Sequence, residues 1–408
     1  MFTFIKIAWR NIIRNKKRSA ITLSAVGFGL GALIFIRAFV DGAHQQMIEN
    51  YTSLVSGQIQ IHARGFHQKE QLEIYITEPE KISSSLKENP YIQSFTYRIK
   101  AAGLVSSPEH SAGVYILGID PRHEKKVSTI YKKVKEGTFL TESSDKGIIL
   151  GIRLAENLNV GLDEKIVIMS QALDGSIAAG AFHVKGLFDT GTEEIDKGVV
   201  IITHKAAEEL FVMHDKTSEI AIRLKNVEDA QKVSTLIRQK LNSSELEILP
   251  WQEVSTVLEQ WIEFDNGFIY LIVIVVMIVV AIGILNTVLM GVLERTREFG
   301  ILLALGTKRK QILAMVAWES LFLGVIGSLF GSLLGILLTL QLGKTGINLS
   351  MFSSALTSFY MDPYIYPVSK TDHIIISIAL VLVTSILVSI YPAWHAANLK
   401  PVEAIRSI

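Results

Sequence analysis

The sequence contains no cysteine. That excludes disulfide staples, thiolate zinc sites, iron–sulfur clusters and cysteine nucleophiles, so any exported part must fold without covalent cross-links. Charge is scarce and nearly cancels: charged residues make up 19% of the chain, and 40 Lys+Arg against 39 Asp+Glu leave a net charge of +1. Such a balance leaves no electrostatic footprint for a nucleic-acid partner. Catalytic patterns are missing too. The ten histidines are scattered, no H-E-x-x-H or G-x-S-x-G run occurs, and His110, His123 and His183 have no paired ligands at metal spacing. No catalytic residue and no metal site is assigned. The nearest approach to a phosphate loop, Gly300 to Gly306 followed by Thr307 and Lys308, has the wrong spacing and a reversed Lys–Thr order. The chain is therefore not expected to hold ATP by itself.

What is abundant is apolar. Hydrophobic residues are 49% of 408 and the mean hydropathy is +0.35, too apolar for a chain with water on every side. Four runs are long enough to cross a bilayer, and they predict transmembrane helices at 19–43, 266–293, 311–343 and 373–394. The first run is longer than a secretory signal core, and no small-x-small site follows it before Asp41 and His44, so it reads as an uncleaved anchor. Arg37, near its outer end, has Asp41 one turn on, which predicts a local pair. Glu319, near the inner end of the third run, is expected to face protein or the inner interface. Gly327, Gly331 and Gly335 form a close-packing stripe on that third run, suited to packing within the chain or to a dimer seam.

Lys and Arg set the orientation. Residues 1–18 carry Lys6, Arg10, Arg14, Lys16, Lys17 and Arg18 and no acid; the segment 294–310 carries Arg295, Arg297, Lys308, Arg309 and Lys310; the tail 395–408 carries Lys400 and Arg406. Both termini are thus expected in the cytosol, with 44–265 and the loop 344–372 outside. Residues 1–18 read as a basic amphipathic helix on the cytoplasmic leaflet or as a topogenic charge cluster. Phe352, Phe359, Tyr360, Tyr364 and Tyr366 in the outer loop read as an interfacial belt or an acyl-chain site.

Within 44–265 the pattern is α/β. Gln58–His62 and Leu72–Ile76 look like strands, Glu78–Asn89 like a helix stopped by Pro90, and Tyr91–Ser106 extended. Glu219–Leu224 is a strand pattern, Asn226 a candidate cap for a helix over Val227–Leu241, and Glu245–Leu249 a returning strand. The two ends therefore form a weak internal repeat. The expected fold class is a membrane protein with four transmembrane α-helices plus a large periplasmic α/β domain. Residues 44–110 and 205–250 form its α/β subdomain, and 111–204 an inserted β-rich subdomain.

The segment Glu294-Arg295-Thr296-Arg297-Glu298-Phe299-Gly300-Ile301-Leu302-Leu303-Ala304-Leu305-Gly306 carries most of the information. Positive-inside charge explains its arginines, but not Glu294 and Glu298 four apart, nor the apolar run beside them. Such a patch at a membrane exit suggests docking to a partner protein. Residues 294–312, ERTREFGILLALGTKRKQI, resemble the signature of the MacB/FtsX/lipoprotein-releasing group of ABC-transporter permeases; YPAWHAANLKPVEAIR (391–406) is similar to that group's second signature and AWRNIIRNKKRSAIT (8–22) to its start. GVYILGIDP (113–121), GIILGIRLAENLNVGLDEKIVIM (147–169) and VKGLFDTGTEEIDKGVVII (184–202) look most like the lipoprotein-releasing, LolC/LolE-like members.

The resemblance implies a transport subunit rather than an enzyme, in a bacterial inner membrane. ATP and magnesium would sit on a separate ATPase dimer, with no cofactor on this chain. The coupling residues would be Glu294, Arg295, Arg297, Glu298, Gly300, Leu303 and Gly306. A second permease subunit, identical or different, membrane lipids and a periplasmic lipoprotein carrier are the further implied partners. The connection Gln171–Ala181 is short where the carrier-binding member of that group has a long hairpin, which counts against direct carrier contact. Lipoprotein or amphipathic cargo would be lifted from the outer leaflet by ATP-driven movement. Its candidate surface is Phe35, Phe39, Val40 and Met47 with Trp261, Phe264 and Phe268, which read equally as interfacial anchors. The rival readings are a MacB-like efflux or peptide-export permease, an FtsX-like transducer of a periplasmic hydrolase, and a membrane sensor. The coupling segment counts against the sensor.

Overall fold

The computed structural model describes residues 10, 14, 16–144, 146–401 and 404, so most of the helix expected over 1–18 and of the tail past Lys400 lies outside the described residues. The chain divides into two compact units, one of residues 1–45, 262–350 and 364–408, the other of residues 46–261 and 351–363.

Four long helices run through Lys16–Tyr51, Thr256–Glu294, Arg309–Thr345 and Thr371–Ala397. Each is long and apolar enough to cross a membrane. Helix is the form such runs must take, because an apolar medium offers backbone amides no other partner. The polar side chains within them follow the same rule: Ser328 and Thr339 donate back to the carbonyls of Gly324 (2.7 Å) and Gly335 (2.8 Å). The second long helix has 39 residues, about 58 Å at 1.5 Å per residue, so it exceeds the hydrocarbon core.

The glycine stripe is packed within the chain. A Cβ on Gly331 would stand 2.6 Å from the Gly27 carbonyl oxygen and 2.9 Å from Leu30; one on Gly335 would stand 2.9 Å from the Gly31 carbonyl oxygen and 2.9 Å from Ile34. Val26 fills the space over Gly327. The first and third long helices thus approach backbone to backbone, the small-residue contact that helices use where no hydrophobic drive separates them from lipid.

The second unit is built on a ten-stranded mixed sheet. Its strands are β1 (Ile59–Ala63), β2 (Ile92–Ser106), β3 (Ser111–Ile119), β4 (Val134–Gly137), β5 (Gly147–Gly151), β6 (Lys165–Gln171), β7 (Ile177–Phe188), β8 (Val199–Thr203), β9 (Glu219–Leu224) and β10 (Leu246–Pro250), in the order β10-β1-β9-β2-β3-β8-β5-β7-β4, with β6 pairing β2 and β7. The two ends of the segment supply β10, β1, β9 and β2, linked through helices Pro79–Lys87 and Ala230–Leu241. That is the split β-α-β arrangement of ferredoxin-like folds. The intervening strands extend the same sheet through the long β2–β3 hairpin (Arg98↔Ile119 to Ser106↔Ser111).

Two local expectations change. Leu72–Ile76 is not a strand; only Ile76–Thr77 pairs, with Lys216–Thr217. The buried residues there are Leu72 and Ile76, four apart around a turn closed by Ile74 N–H to Gln71 O, whereas a strand buries every second residue. The helix expected from Val227 begins as a 3-10 turn, Val227–Asp229, capped by the Asn226 side chain accepting from Glu228 N–H (3.2 Å), and becomes α-helical at Ala230–Leu241. The Gln171–Ala181 connection is a tight hairpin, with Gln171 paired to Ile177.

Charged residues cross this core. Arg98 on β2 donates to Glu124 (2.6 Å) and Glu219 (3.0 Å), and all three are fully buried. Lys100 (2.5 Å) and His62 (3.1 Å) reach the other oxygen of Glu219. Burial pushes the Glu219 carboxyl up, but Lys100, His62 and Arg98 outweigh it and hold it far below the usual carboxylate range. Burial likewise opposes the Arg98 charge, and Glu124 and Glu219 overcome it.

Candidate functional site

Between the second and third long helices stands a short helix, Thr296–Ala304. It starts where Arg295 breaks the second helix (φ −112°, ψ 18°) and ends at a turn with Gly306 at φ +90°, closed by Gly306 N–H to Leu303 O (3.0 Å). That φ is open to glycine and strained for other residues. Phe299 and Gly300 are buried, and Leu302 and Leu303 pack half-buried against the helix core. Arg297, Ile301, Ala304 and Leu305 are exposed, spaced three, four and eight apart and hence on one face. Leu305 is 79% exposed.

The charges are tied down within the chain. Arg295 is buried, donates to Glu298 (2.7 Å), lies 3.5 Å from Glu319 and stacks over the Phe299 ring. Arg18 pairs with Glu294 (2.6 Å) and Arg14 with Glu298 (3.4 Å). Partial burial raises the Glu298 carboxyl, but the Arg295 hydrogen bond and charge, with Arg14, hold it below its ordinary range. Of the seven expected coupling residues, then, Arg297 and Gly306 are exposed, Glu294 and Glu298 are exposed but ion-paired, Arg295 and Gly300 are buried, and Leu303 is half-buried. Ile301 and Leu305 supply the apolar part of the open face.

The chain as a whole has counterparts among known proteins. The FtsX-like permease C-terminal model matches residues 270–401, and the MacB-like periplasmic core domain model matches residues 19–240. The chain belongs to the MacB/FtsX-like family of ABC transporter permeases. Lipoprotein-releasing system transmembrane protein LolC of Xylella fastidiosa is 24% identical, covering 96% of this chain and 95% of that one. LolE of Haemophilus influenzae is 22% identical, covering 98% of each. The macrolide export ATP-binding/permease protein MacB of Nitrobacter winogradskyi is 24% identical over 96% of this chain but only 58% of its own length. The permease is thus a membrane transport subunit with an extracytoplasmic domain, of a family that works with an ATPase.

The second unit of the permease holds an aromatic cavity of about 770 Å³. Met47, Tyr51, Val257, Leu258, Trp261, Phe359 and Tyr360 line it, with Glu193, Glu194 and Lys197 at its polar side. Trp261 packs edge-on to Phe359 (5.0 Å) and Tyr51 edge-on to Tyr360 (5.2 Å). Burial pushes the Tyr360 hydroxyl up to about 12, so it stays a neutral donor. Of the expected cargo-surface residues, Met47 and Trp261 meet here, Met47 being buried. Phe264 and Phe268 belong to the helical unit, where they are exposed and tilted against each other at 5.7 Å; Phe35, Phe39 and Val40 are half-buried there. Phe359 and Tyr360, which read as part of an interfacial belt or an acyl-chain site, line the cavity. Sequence reasoning gave no sign of Tyr51 as a cavity residue, since it ends a long helix with no pattern of its own.

The helical unit also joins Arg37 to more than its expected neighbour. Besides Asp41 (3.5 Å), Arg37 meets Asn266 (3.0 Å) and His373 (3.1 Å), and His373 lies 2.6 Å from Asp41. Three long helices share one polar knot, in keeping with the rule that charge in a span faces protein.

Proposed function

We propose that this permease lifts lipoproteins or similar amphipathic cargo from the outer leaflet of a bacterial inner membrane, driven by a separate ATPase dimer that docks on the Thr296–Ala304 helix. The observation that carries this reading is the aromatic cavity between Met47, Trp261 and Phe359, an apolar receiving surface in the extracytoplasmic domain. Each methylene drawn from lipid costs about 0.8 kcal/mol, so a multiply acylated protein leaves the bilayer only with ATP-driven work and an apolar destination. Similarity to LolC along almost the whole of both chains supports this reading. A permease of this kind would have both termini in the cytosol, would pair with a second permease subunit and would carry no cofactor itself.

The test is reconstitution with the ATPase and a fluorescent triacylated lipoprotein in proteoliposomes. ATP-dependent transfer of lipoprotein to a soluble acceptor is expected, and Trp261→Asp should lower it about tenfold while leaving basal ATPase turnover in place. If no acylated protein is released and a small drug or peptide moves instead, the efflux reading replaces this one. ATP-dependent activation of a periplasmic hydrolase without transport would identify a transducer.

A further inference from the structure

Over Ile92–Tyr97, β2 has a partner strand on one side only among the described residues. β9 pairs with Ile92–Arg98, whereas β3 begins its pairing at Arg98↔Ile119, where the chain turns off into helix Pro121–Val127. A six-residue open edge, about 20 Å long, is left in line with β3. Its amides face outward. The Ile222 carbonyl accepts from Gln58 N–H (2.8 Å) on the far side of β9, so the Ile222–Phe95 pair is of the non-hydrogen-bonded kind. The N–H and C=O of Phe95, and by alternation those of Tyr97, therefore point to the open side.

Exposed edges are usually blunted by proline, a short strand or a covering loop. This one is the floor of a slot of about 660 Å³, walled by helix Pro79–Lys87 and by helix Pro121–Val127. Thr96, buried in its lining, has a hydroxyl with no hydrogen-bond partner among the described residues. The slot is also electrically polarised. Glu80, at the start of one helix, lines the Tyr97 end, where Tyr97 Oη lies 3.5 Å from the Pro79 carbonyl; Asp120, capping the other helix, lies there too, with its carboxylate held by His123 (2.7 Å) and by the Arg122 and His123 N–H groups. Lys87 and Lys126, at the helix ends, line the Ile92 end, where Ser94 donates to the Lys126 carbonyl (2.7 Å).

We propose that this slot receives an extended peptide segment of an extracytoplasmic partner protein, added to the sheet as an antiparallel strand. Strand addition supplies affinity through main-chain hydrogen bonds and specificity through side chains along the walls. An antiparallel segment runs from the Tyr97 end to the Ile92 end. Its earlier residues face Glu80 and its later ones Lys87 and Lys126, so the matching segment is basic first and acidic last.

The probe is a fluorescein-labelled hexapeptide, Lys-Thr-Val-Thr-Val-Glu, titrated by anisotropy against the full permease in detergent. Saturable binding is expected. The same peptide with alternate N-methylated amides should bind about tenfold more weakly. The exposed-wall double variant K87E/K126E should lose a similar factor and prefer the charge-reversed Glu-Thr-Val-Thr-Val-Lys. Equal binding of the N-methylated peptide, an unchanged charge preference in the variant, or no binding below about 1 mM would each overturn the proposal. So would self-association that K87E/K126E abolishes without any peptide binding, which would assign the edge to a second copy of the chain.

Discussion

Glu219 lies buried among Arg98, Lys100 and His62, with Glu124 on the far side of Arg98. Removing one partner from a buried network leaves the others uncompensated, at a cost of about 3–5 kcal/mol. Glu219→Gln is therefore expected to lower the melting temperature of the extracytoplasmic domain sharply, read by thermal unfolding of the intact permease. The same carboxylate gives the effect a pH signature. Its folded-state pKa is depressed, so its stabilisation is complete above the ordinary carboxylate value of 4.5 and is lost as the pH falls through the lower folded value. The gap between wild type and Glu219→Gln should stay constant from neutral pH to about 5 and narrow in stronger acid. A gap that widened in acid would contradict the assignment of Glu219 as the ionised member.

The short helix Thr296–Ala304 and the turn after it present Ile301 and Leu305 outward, while Glu298 is held by Arg14 and Arg295 and the preceding Glu294 by Arg18. Ile301→Asp and Leu305→Asp are expected to reduce co-purification of the ATPase about tenfold or more while leaving the melting temperature unchanged. Glu298→Lys should behave differently, lowering stability because it sets a cation beside Arg295. Gly306→Trp strains the backbone at φ +90° and so tests the turn as well as the docking. Normal ATPase recovery with both aspartate variants would remove the helix from the interface. What could be read in the sequence here was the charged segment with its apolar run, since run length, charge sign and glycine position are local properties. The direction of each charge was not readable: Glu298 read as a partner-facing residue, yet Arg295 three residues before it and Arg14 far off in sequence both turn to it. The extracytoplasmic sheet divides the same way. Alternation marked out Glu219–Leu224 and Gln58–His62, but Leu72–Ile76 shared the pattern and became a loop. Nothing local foretold that Arg98, in a strand of mixed polar and apolar residues, would meet Glu124 and Glu219.

For the molecule as a whole, the absence of native cysteine makes membrane orientation directly measurable. Ser143→Cys and Ser244→Cys, both on exposed positions of the extracytoplasmic domain, should react with an impermeant maleimide in intact spheroplasts, and Lys308→Cys only after lysis. Ser128, though in the same domain, is buried and would give a false negative. Labelling of Lys308→Cys in sealed cells would overturn the four-span orientation. The four spans were legible because about 20 apolar residues in a row leave little else to form; the aromatic cavity was not, because Tyr51, Trp261 and Phe359 come from three distant stretches. The glycine contact between the first and third long helices has a mechanical corollary. Val26, Leu30 and Ile34 recur every four residues and rest on Gly327, Gly331 and Gly335, which recur at the same interval. Such a joint works like a toothed rack. A slip of half a turn, about 3 Å, would ride a side chain over bare backbone, so axial play is blocked between seated positions. Either the two helices travel as one shaft, or they index past each other by a whole tooth.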